Sequence, residues 1–421
     1  MLGLTTGAPA YTLRPYQEAA VTKGVAYLQD PAKRGHHGLI VAPTGSGKSL
    51  VIAGIATTLA RPCLVFQPSK EILEQNKAKL EAYGYQPSVF SASFGRREIG
   101  SITLATIGSV MRHLSSFHTM PYVLVDECHG VNAKEGMYKT FFEQLPHVRI
   151  LGLTATPYRL VTYGYGGSIL KFLTRTRPRV FRDVVQATDI GYLFREGFLA
   201  PLAYDERPIL KRDRLRLNTT GADYTDRSVQ QHFEEIGFAA TLQAVVEEQL
   251  RAGRRNVLVF TRFVEESQQL VDRLPAGTAA MVSADTPPDA RAQILADFRA
   301  GRLRVVSNVG ILAVGFDYPE LECVVLARPS VSLALYYQQV GRVLRPHPDK
   351  PRAHVVDLVG LVQQFGRIED LKLRRGGKTG EQWTVNSGDR VLTNVYFGQR
   401  DQDPHGAEAA ADLVGRPGGR W

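Results

Sequence analysis

Cysteine is scarce in this chain of 421 residues: there are three, Cys63, Cys128 and Cys323, set far apart. That excludes a disulfide framework and any zinc module built from closely spaced cysteine pairs, and it fits a reducing compartment. Long apolar runs are missing too. No stretch approaches the roughly eighteen uncharged apolar residues a membrane-spanning helix needs, so no membrane partner is expected. The first residues, Met1 through Gln17, carry neither the basic start nor the apolar middle of a secretory leader, and a cytoplasmic location is expected. Repeats of 20–50 residues are absent, which argues against a solenoid. Acidic residues are the minority: 41 against 51 basic ones, a net charge of +10. A surplus of that sign favours polyanionic partners, nucleic acid first, with an ordinary basic enzyme as the plain alternative.

What is present reads as globular: 44% hydrophobic and 22% charged residues, enough length for two hydrophobic cores. Short apolar runs alternate with helix-like stretches in two regions. In the first they are Gly38–Val41, Cys63–Phe66, Ile102–Leu104, Tyr122–Val125 and Ile150–Leu153. In the second they are Val257–Phe260, Ala280–Val282, Val305–Ser307, Val324–Leu326 and His354–Val356. Runs apolar on both faces are the pattern of parallel strands covered on two sides by helices. The fold class is therefore α/β, with two open parallel sheets in tandem. The expected boundaries are residues 1–160 for the first domain and 241–370 for the second. Residues 161–240 form an insertion or linker with basic segments, and 371–421 a small or flexible tail in which Gln382–Val385 and Val391–Tyr396 form a hairpin.

Chemistry first enters at Ala42-Pro43-Thr44-Gly45-Ser46-Gly47-Lys48-Ser49, between a strand and a helix. Glycines let several backbone N–H groups converge on one phosphate, and the helix N-terminus adds positive potential. Lys48 is expected on the β- and γ-phosphates and Ser49 on Mg²⁺. Ala42 stands where the strict pattern has glycine. A second signal is the strand Val123-Leu124-Val125 running into Asp126-Glu127-Cys128-His129. Ligands in such sheets sit at the carboxyl ends of the strands. Asp126 is expected to hold Mg²⁺ and Glu127 to orient and deprotonate the attacking water. A third is Gln338-Gln339-Val340-Gly341-Arg342-Val343-Leu344-Arg345, expected on a helix starting near Ser332 that puts Arg342 and Arg345 on one face. Two guanidinium forks suit the charge that builds on a transferring γ-phosphate. A solvated basic face is the alternative reading of that pair alone.

In chain order these residues resemble a superfamily two helicase of the broad DEAD/DEAH type, over about residues 11–360. Leu13-Arg14-Pro15-Tyr16-Gln17 is similar to the adenine-sensing entry motif, implying nucleotide contacts by Arg14 and Gln17. Pro68–Leu73, Thr106–Ser109, Thr154-Ala155-Thr156-Pro157, Phe260-Thr261-Arg262 and Asn308 through Asp317 resemble motifs Ia, Ib, III, IV and V. The resemblance implies two RecA-like lobes with ATP and Mg²⁺ in the cleft and nucleic acid across the top. It adds Gln338 to the catalytic set, and Gly315 and Asp317 to the nucleotide contacts, with a buried loop-capping aspartate as the other reading of Asp317. His129 could meet Gln338 across the cleft, and Thr154 and Thr156 would link the metal site to the nucleic acid, although a buried threonine pair would look the same. Within the superfamily the motif wording most resembles RadD-like bacterial DNA repair ATPases, with the XPB-like branch and restriction-enzyme motor subunits sharing the outline. The cysteine-rich zinc extension of RadD-like chains and the Arg-Glu-Asp of the XPB-like branch are both lacking, and a compact motor of phage or mobile-element type in an infected bacterial cytosol fits.

DNA is the expected partner, single-stranded, forked or duplex, with RNA as the rival and a single-strand-binding or repair protein as a further partner. Thr106, Ser109, Thr261 and Arg262 are candidate phosphate contacts. Arg175, Arg177 and Arg179 in the insertion are either a solvated surface or an accessory grip, and Tyr163, Tyr165, Phe172 and Phe181 between the basic residues could stack on bases or wedge a junction, or else form small local cores. Intact Lys48, Asp126 and Glu127 argue against a non-catalytic clamp. A monomer is the default, since one chain holds the whole motif set.

Overall fold

Continuous Val, Ile and Leu runs can form strands only where helices cover both faces, and both sheets are built so. In this computed structural model the described residues are 12–397, apart from 60, 83, 133, 164–166, 314, 315, 377–381 and 395. The chain divides into two compact units. The first is Met1–Arg159 with Phe172–Asp189, and the second Leu160–Lys171 with Ile190–Trp421.

The first unit holds an eight-stranded sheet in the order Phe181–Ala187, His37–Val41, Arg149–Thr154, Tyr122–Asp126, Cys63–Phe66, Ile102–Ala105, Ser88–Ser91, Arg96–Arg97. Pairing is parallel except at the last step. The five expected strands sit at its centre, with Ile40, Val65, Leu104, Leu124 and Leu151 buried in the core beside Ile52 and Ile55 of the helix Lys48–Thr58. Burying each such side chain stabilises by about 1.5–3 kcal/mol. Gly152, in the strand Arg149–Thr154, is required by close approach. A Cβ there would lie 2.6 Å from Cys128 Sγ and 2.6 Å from a Phe181 ring carbon.

The second unit holds a six-stranded, all-parallel sheet: Leu202–Glu206, Ala353–Asp357, Cys323–Leu326, Val257–Thr261, Val305–Val309, Ala279–Val282. Its core includes Leu258, Val306, Val325 and Val356. Both sheets thus have the expected tandem α/β architecture.

Residues 161–240 divide differently from the expected insertion. Phe181–Ala187 becomes the edge strand of the first sheet, and Leu202–Glu206 the edge strand of the second. Both sequences mix polar and apolar positions, as strands half-covered at a sheet edge do. Phe172 and Phe181 are buried, so they are core residues rather than stacking platforms. The Tyr163 side chain and Tyr165 lie outside the described residues. The tail holds the expected hairpin in part. Gln382–Ser387 turns back antiparallel onto Arg390–Val391, and the Leu392 N–H donates to the Val385 carbonyl at 2.8 Å. Its longer pairing is with Leu371–Gly376, which was not expected, and Tyr396–Phe397 pairs with Gly167–Phe172. Leu371 and Val385 are buried, and Val385 stands opposite Leu373, so the apolar face selects the register. Residues 398–421 lie outside the described set.

Candidate functional site

The phosphate-type loop follows the strand His37–Val41 and enters the helix Lys48–Thr58 through Gly47. Gly45 and Gly47 have φ of 81° and 78°, a region open to glycine and costly for other residues. A Cβ on Gly47 would also sit 2.5 Å from Gln17 Nε2. That proximity is a brace. The Tyr16 hydroxyl and the Gln17 amide each donate to the Ser46 carbonyl at 2.8 Å. The Gln17 carbonyl accepts the N–H of Arg14 at 2.9 Å, where Pro15 opens the helix Pro15–Gln29. Helix geometry leaves the N–H groups of Lys48 and Ser49 without an intrahelical acceptor. The buried Ser46 hydroxyl lacks a hydrogen-bond partner among the described residues. Thr44 and Ser49 are half-buried around the same loop. These donors fit an anionic oxygen ligand such as a nucleotide phosphate.

The acid pair stands at the carboxyl end of the strand Tyr122–Asp126, on the same sheet edge. Lys48 Nζ lies 3.1 Å from Glu127 Oε1, and His129 Nδ1 lies 3.3 Å from Oε2. Glu127 adopts φ 47°, ψ 47°, a left-handed conformation that costs a non-glycine residue roughly 1–2 kcal/mol. That turn sends its side chain toward Lys48 instead of continuing the strand. Burial works to raise the Glu127 carboxyl, but Lys48 and His129 outweigh it and hold the group well below the usual carboxylate range. Burial and the neighbouring Glu127 push the Asp126 carboxyl up to about 6, against the pull of Lys48 and Asn76. A carboxyl so placed favours a cation at its open side. Thr154 and Thr156 are buried, and both hydroxyls meet His129 Nδ1, at 2.9 and 3.1 Å. Thr154 also donates to Glu127 at 3.4 Å. The threonine pair is thus buried and joined to the acids at once.

Asn76 was not legible as a site residue. It donates to Asp126 Oδ2 at 3.1 Å and to Gln67 Oε1 at 2.7 Å. It lies on the helix Lys70–Ala82, in the stripe buried with Ile72, Leu73 and Leu80. An amide in an otherwise apolar stripe is the signal that could have found it.

In the second unit the helix Leu333–Val340 carries Gln338 and stops there. Arg342 and Arg345 are not on a shared helix face, as expected, but in the turn beyond it. Val343 and Leu344 are both fully buried, and Pro346 disfavours helical backbone at Arg345. The N–H of Arg342 bonds Gln339, three residues back, as a closing turn does. The Arg342 guanidinium donates to the carbonyls of Gln338 at 3.2 Å and Phe316 at 2.7 Å, and Arg345 pairs with Asp317. Asp317 therefore anchors an arginine within its own unit. Gly315 lies outside the described residues.

The expected nucleic-acid contacts separate into two groups. Thr261 is fully buried and donates to the Asn308 carbonyl at 3.4 Å, so its hydroxyl does not face solvent. Arg262 is held by Asp223 at 3.2 Å and Asp226 at 2.8 Å, and donates to the Tyr224 carbonyl at 2.6 Å. Its side chain is 8% exposed, a clamp between segments rather than a surface grip. Ser109 is buried, sharing a hydrogen bond with Thr106 and accepting the N–H of Ala92, each at 2.9 Å. Arg177 and Arg179 are exposed and Arg175 is half-buried. Burial and the charges of Arg177 and Arg179 lower the Arg175 guanidinium, which makes the three a basic cluster. The first-unit Arg179 donates through Nε to the Thr174 carbonyl at 2.7 Å.

Comparison with known proteins covers both units. Residues 10–159 match the family model described as "Type III restriction enzyme, res subunit", and residues 240–347 match "Helicase conserved C-terminal domain". The "51.5 kDa protein" of a Lactococcus phage is 27% identical over 326 residues, which are 76% of this chain and 65% of the phage protein. The "DNA 3'-5' translocase XPB2" of Sulfurisphaera tokodaii is 24% identical over 79% of this chain and 78% of its own length. The chain thus spans less than two thirds of the phage relative. Among solved structures, the fragment of a putative HsdR subunit of a type I restriction enzyme from Vibrio vulnificus has a TM-score of 0.61 at 20% identity, covering 85% of this chain and 66% of that one. With two RecA-like parallel sheets, a braced glycine loop ahead of an Asp-Glu-Cys-His strand end, and the restriction-subunit and helicase C-terminal models matched in tandem, the chain belongs to the superfamily two helicases.

Proposed function

We propose that this protein is an ATP-driven motor on nucleic acid, a helicase or translocase that works on DNA in repair, recombination or replication. The observation that carries the reading is the 3.1 Å contact of Lys48 with Glu127 at the mouth of the braced loop. It unites phosphate-binding and water-activating groups in one site.

The loop N–H groups of residues 44–49 and the Lys48 ammonium cradle the phosphates. Ser49 and Asp126 would hold Mg²⁺, which would supply Lewis-acid stabilisation of the developing phosphate charge. Glu127, ionised at neutral pH, accepts the proton of the attacking water. His129 and Thr154 keep its carboxylate oriented. Gln17 spends one amide hydrogen on the loop and keeps the other for the adenine edge, beside Arg14. By the family resemblance Arg342, Arg345 and Gln338 are assigned to the γ-phosphate, and Gly315 and Asp317 to nucleotide contact.

The DNA assignment draws on the relative named a DNA translocase. Arg175, Arg177 and Arg179 serve as a backbone grip, with the half-buried Thr106 as a hydroxyl contact that Ser109 holds in place. Such contacts read no base sequence. A second reading, a motor portion of a restriction-type assembly, is favoured by the restriction-subunit family model. The protein acts as a monomer, with a single-strand-binding or repair protein as a loading partner.

Steady-state ATP hydrolysis tests this, measured with Mg²⁺ and no nucleic acid, single-stranded DNA, duplex, forked DNA or RNA, with Glu127→Gln as control. Stimulation by one form of DNA that disappears in the variant is the expected result. Stimulation by RNA alone moves the substrate to RNA. Absence of hydrolysis on every substrate refutes the motor reading of the isolated chain.

A further inference from the structure

The second unit contains a cavity of about 320 Å³ that adjoins Phe260-Thr261-Arg262 but includes none of the residues proposed for nucleotide, lined by the helices Asp226–Glu235, Phe238–Arg251 and Val264–Arg273. That size lies within the range of small-ligand and side-chain pockets. Its floor is aromatic. The rings of Phe233 and Phe238 stack with centroids 3.9 Å apart and 2° between planes, and Phe263 meets Phe233 edge-on at 6.4 Å. Its rim carries Glu234 and Glu265, both exposed, and Arg273. Deeper in stands Glu266, 8% exposed, whose Oε2 accepts the N–H of Arg262 at 3.2 Å. Its other carboxyl oxygen is buried without a hydrogen-bond partner among the described residues.

This chemistry is the reverse of the chain as a whole. The protein carries a net charge of +10, yet at this rim two exposed carboxylates, Glu234 and Glu265, outnumber one guanidinium, Arg273, over an apolar floor. Phosphate is disfavoured by like charge at such a mouth. A cation beside an apolar group is favoured by the rim carboxylates of Glu234 and Glu265. We propose that this cavity docks a protein partner through an aromatic side chain flanked by arginine or lysine. The aromatic anchor packs on Phe233, Phe238 and Phe263, and the basic neighbours meet Glu234 and Glu265. Anchors of this type, buried in a pocket inside a charged rim, carry most of the energy of a protein interface.

The test is isothermal titration of the full chain with acetyl-Arg-Phe-Arg-amide and with its charge-reversed counterpart acetyl-Glu-Phe-Glu-amide. The basic peptide should bind at least tenfold more tightly. The double substitution Glu234→Lys with Glu265→Lys should reverse that preference. Ala240→Trp, at an exposed lining position on a helix, fills the cavity and should abolish binding of the basic peptide while basal ATP hydrolysis stays unchanged. No binding of the basic peptide, equal binding of both peptides, or binding that survives Ala240→Trp overturns the proposal. Because the readout is peptide binding, its failure is distinct from failure of the motor reading.

Discussion

Lys48 Nζ sits 3.1 Å from Glu127 Oε1, so the lysine heading the phosphate-loop helix also holds the carboxylate proposed to take the water proton. Glutamine at 127 keeps the shape and loses both the charge and the base. General-base removal commonly costs 10²–10⁴ in rate. Glu127→Gln should therefore lower kcat by at least about 10²-fold while nucleotide still binds. Single-turnover hydrolysis and binding of a fluorescent ATP analogue check the two halves separately. Failure to bind nucleotide would mean that Glu127 is structural.

Asn76 offers a second test, as a positioning residue. It bridges Gln67 and Asp126, and it reaches the proposed Mg²⁺ site only through that carboxylate. Partners one step removed from a metal typically change affinity or activity by about 10–100-fold. Asn76→Leu should raise the Mg²⁺ concentration needed for half-maximal hydrolysis by about that factor, with the thermal midpoint little altered because leucine suits the apolar stripe. An unchanged Mg²⁺ dependence with reduced stability would leave Asn76 a packing residue.

The central strands were legible because buried parallel strands are continuous apolar runs. The phosphate loop and Asp126-Glu127 were legible because their residues are adjacent in sequence. Edge strands such as Phe181–Ala187 were not, since one uncovered side admits polar residues and blurs the pattern. The arginines were half legible. Arg342 and Arg345 were found by spacing, but their helix ends at Val340, because burial of Val343 with Leu344 is a tertiary demand invisible to a period of 3.6. Arg262 looked like a surface cation because Asp223 and Asp226, which clamp it, lie far back in the chain. Asn76 needed the fold to bring it to Asp126.

Glu266 provides a pH signature. Burial pushes its carboxyl up to about 8, although the Arg262 and Phe263 N–H groups and the Arg262 charge pull it down. A raised acid binds its proton more tightly in the folded state. Its contribution is full below the unfolded value near 4.5 and is lost as pH rises through about 8. Glu266→Gln keeps the neutral shape and can still close the first turn of its helix. The variant should match the wild type in denaturant midpoint near pH 5 and exceed it at pH 8.5. A constant difference across that window would assign Glu266 an ordinary exposed-carboxylate titration.

Arg262 and the pair Arg177–Arg179 should fail in opposite ways. Arg262 is nearly buried among two carboxylates and a backbone carbonyl, so Arg262→Ala strands Asp223 without its nearest cation. Breaking a buried pair costs on the order of 3 kcal/mol. The expected result is a lower thermal midpoint, with the salt dependence of DNA binding preserved in the protein that remains folded. Arg177 and Arg179 are exposed. Their joint replacement by alanine should leave the thermal midpoint in place and flatten the slope of log K against log salt, by about 0.7–0.9 for each phosphate that is no longer neutralised. Fluorescence anisotropy on single-stranded and duplex DNA at several salt concentrations separates the two. A flattened slope in the Arg262 variant with stability intact would return that residue to the nucleic-acid surface. An unchanged slope in the Arg177–Arg179 variant would leave those arginines as solvated charge, because a cation that releases no counterions on binding is not touching the backbone.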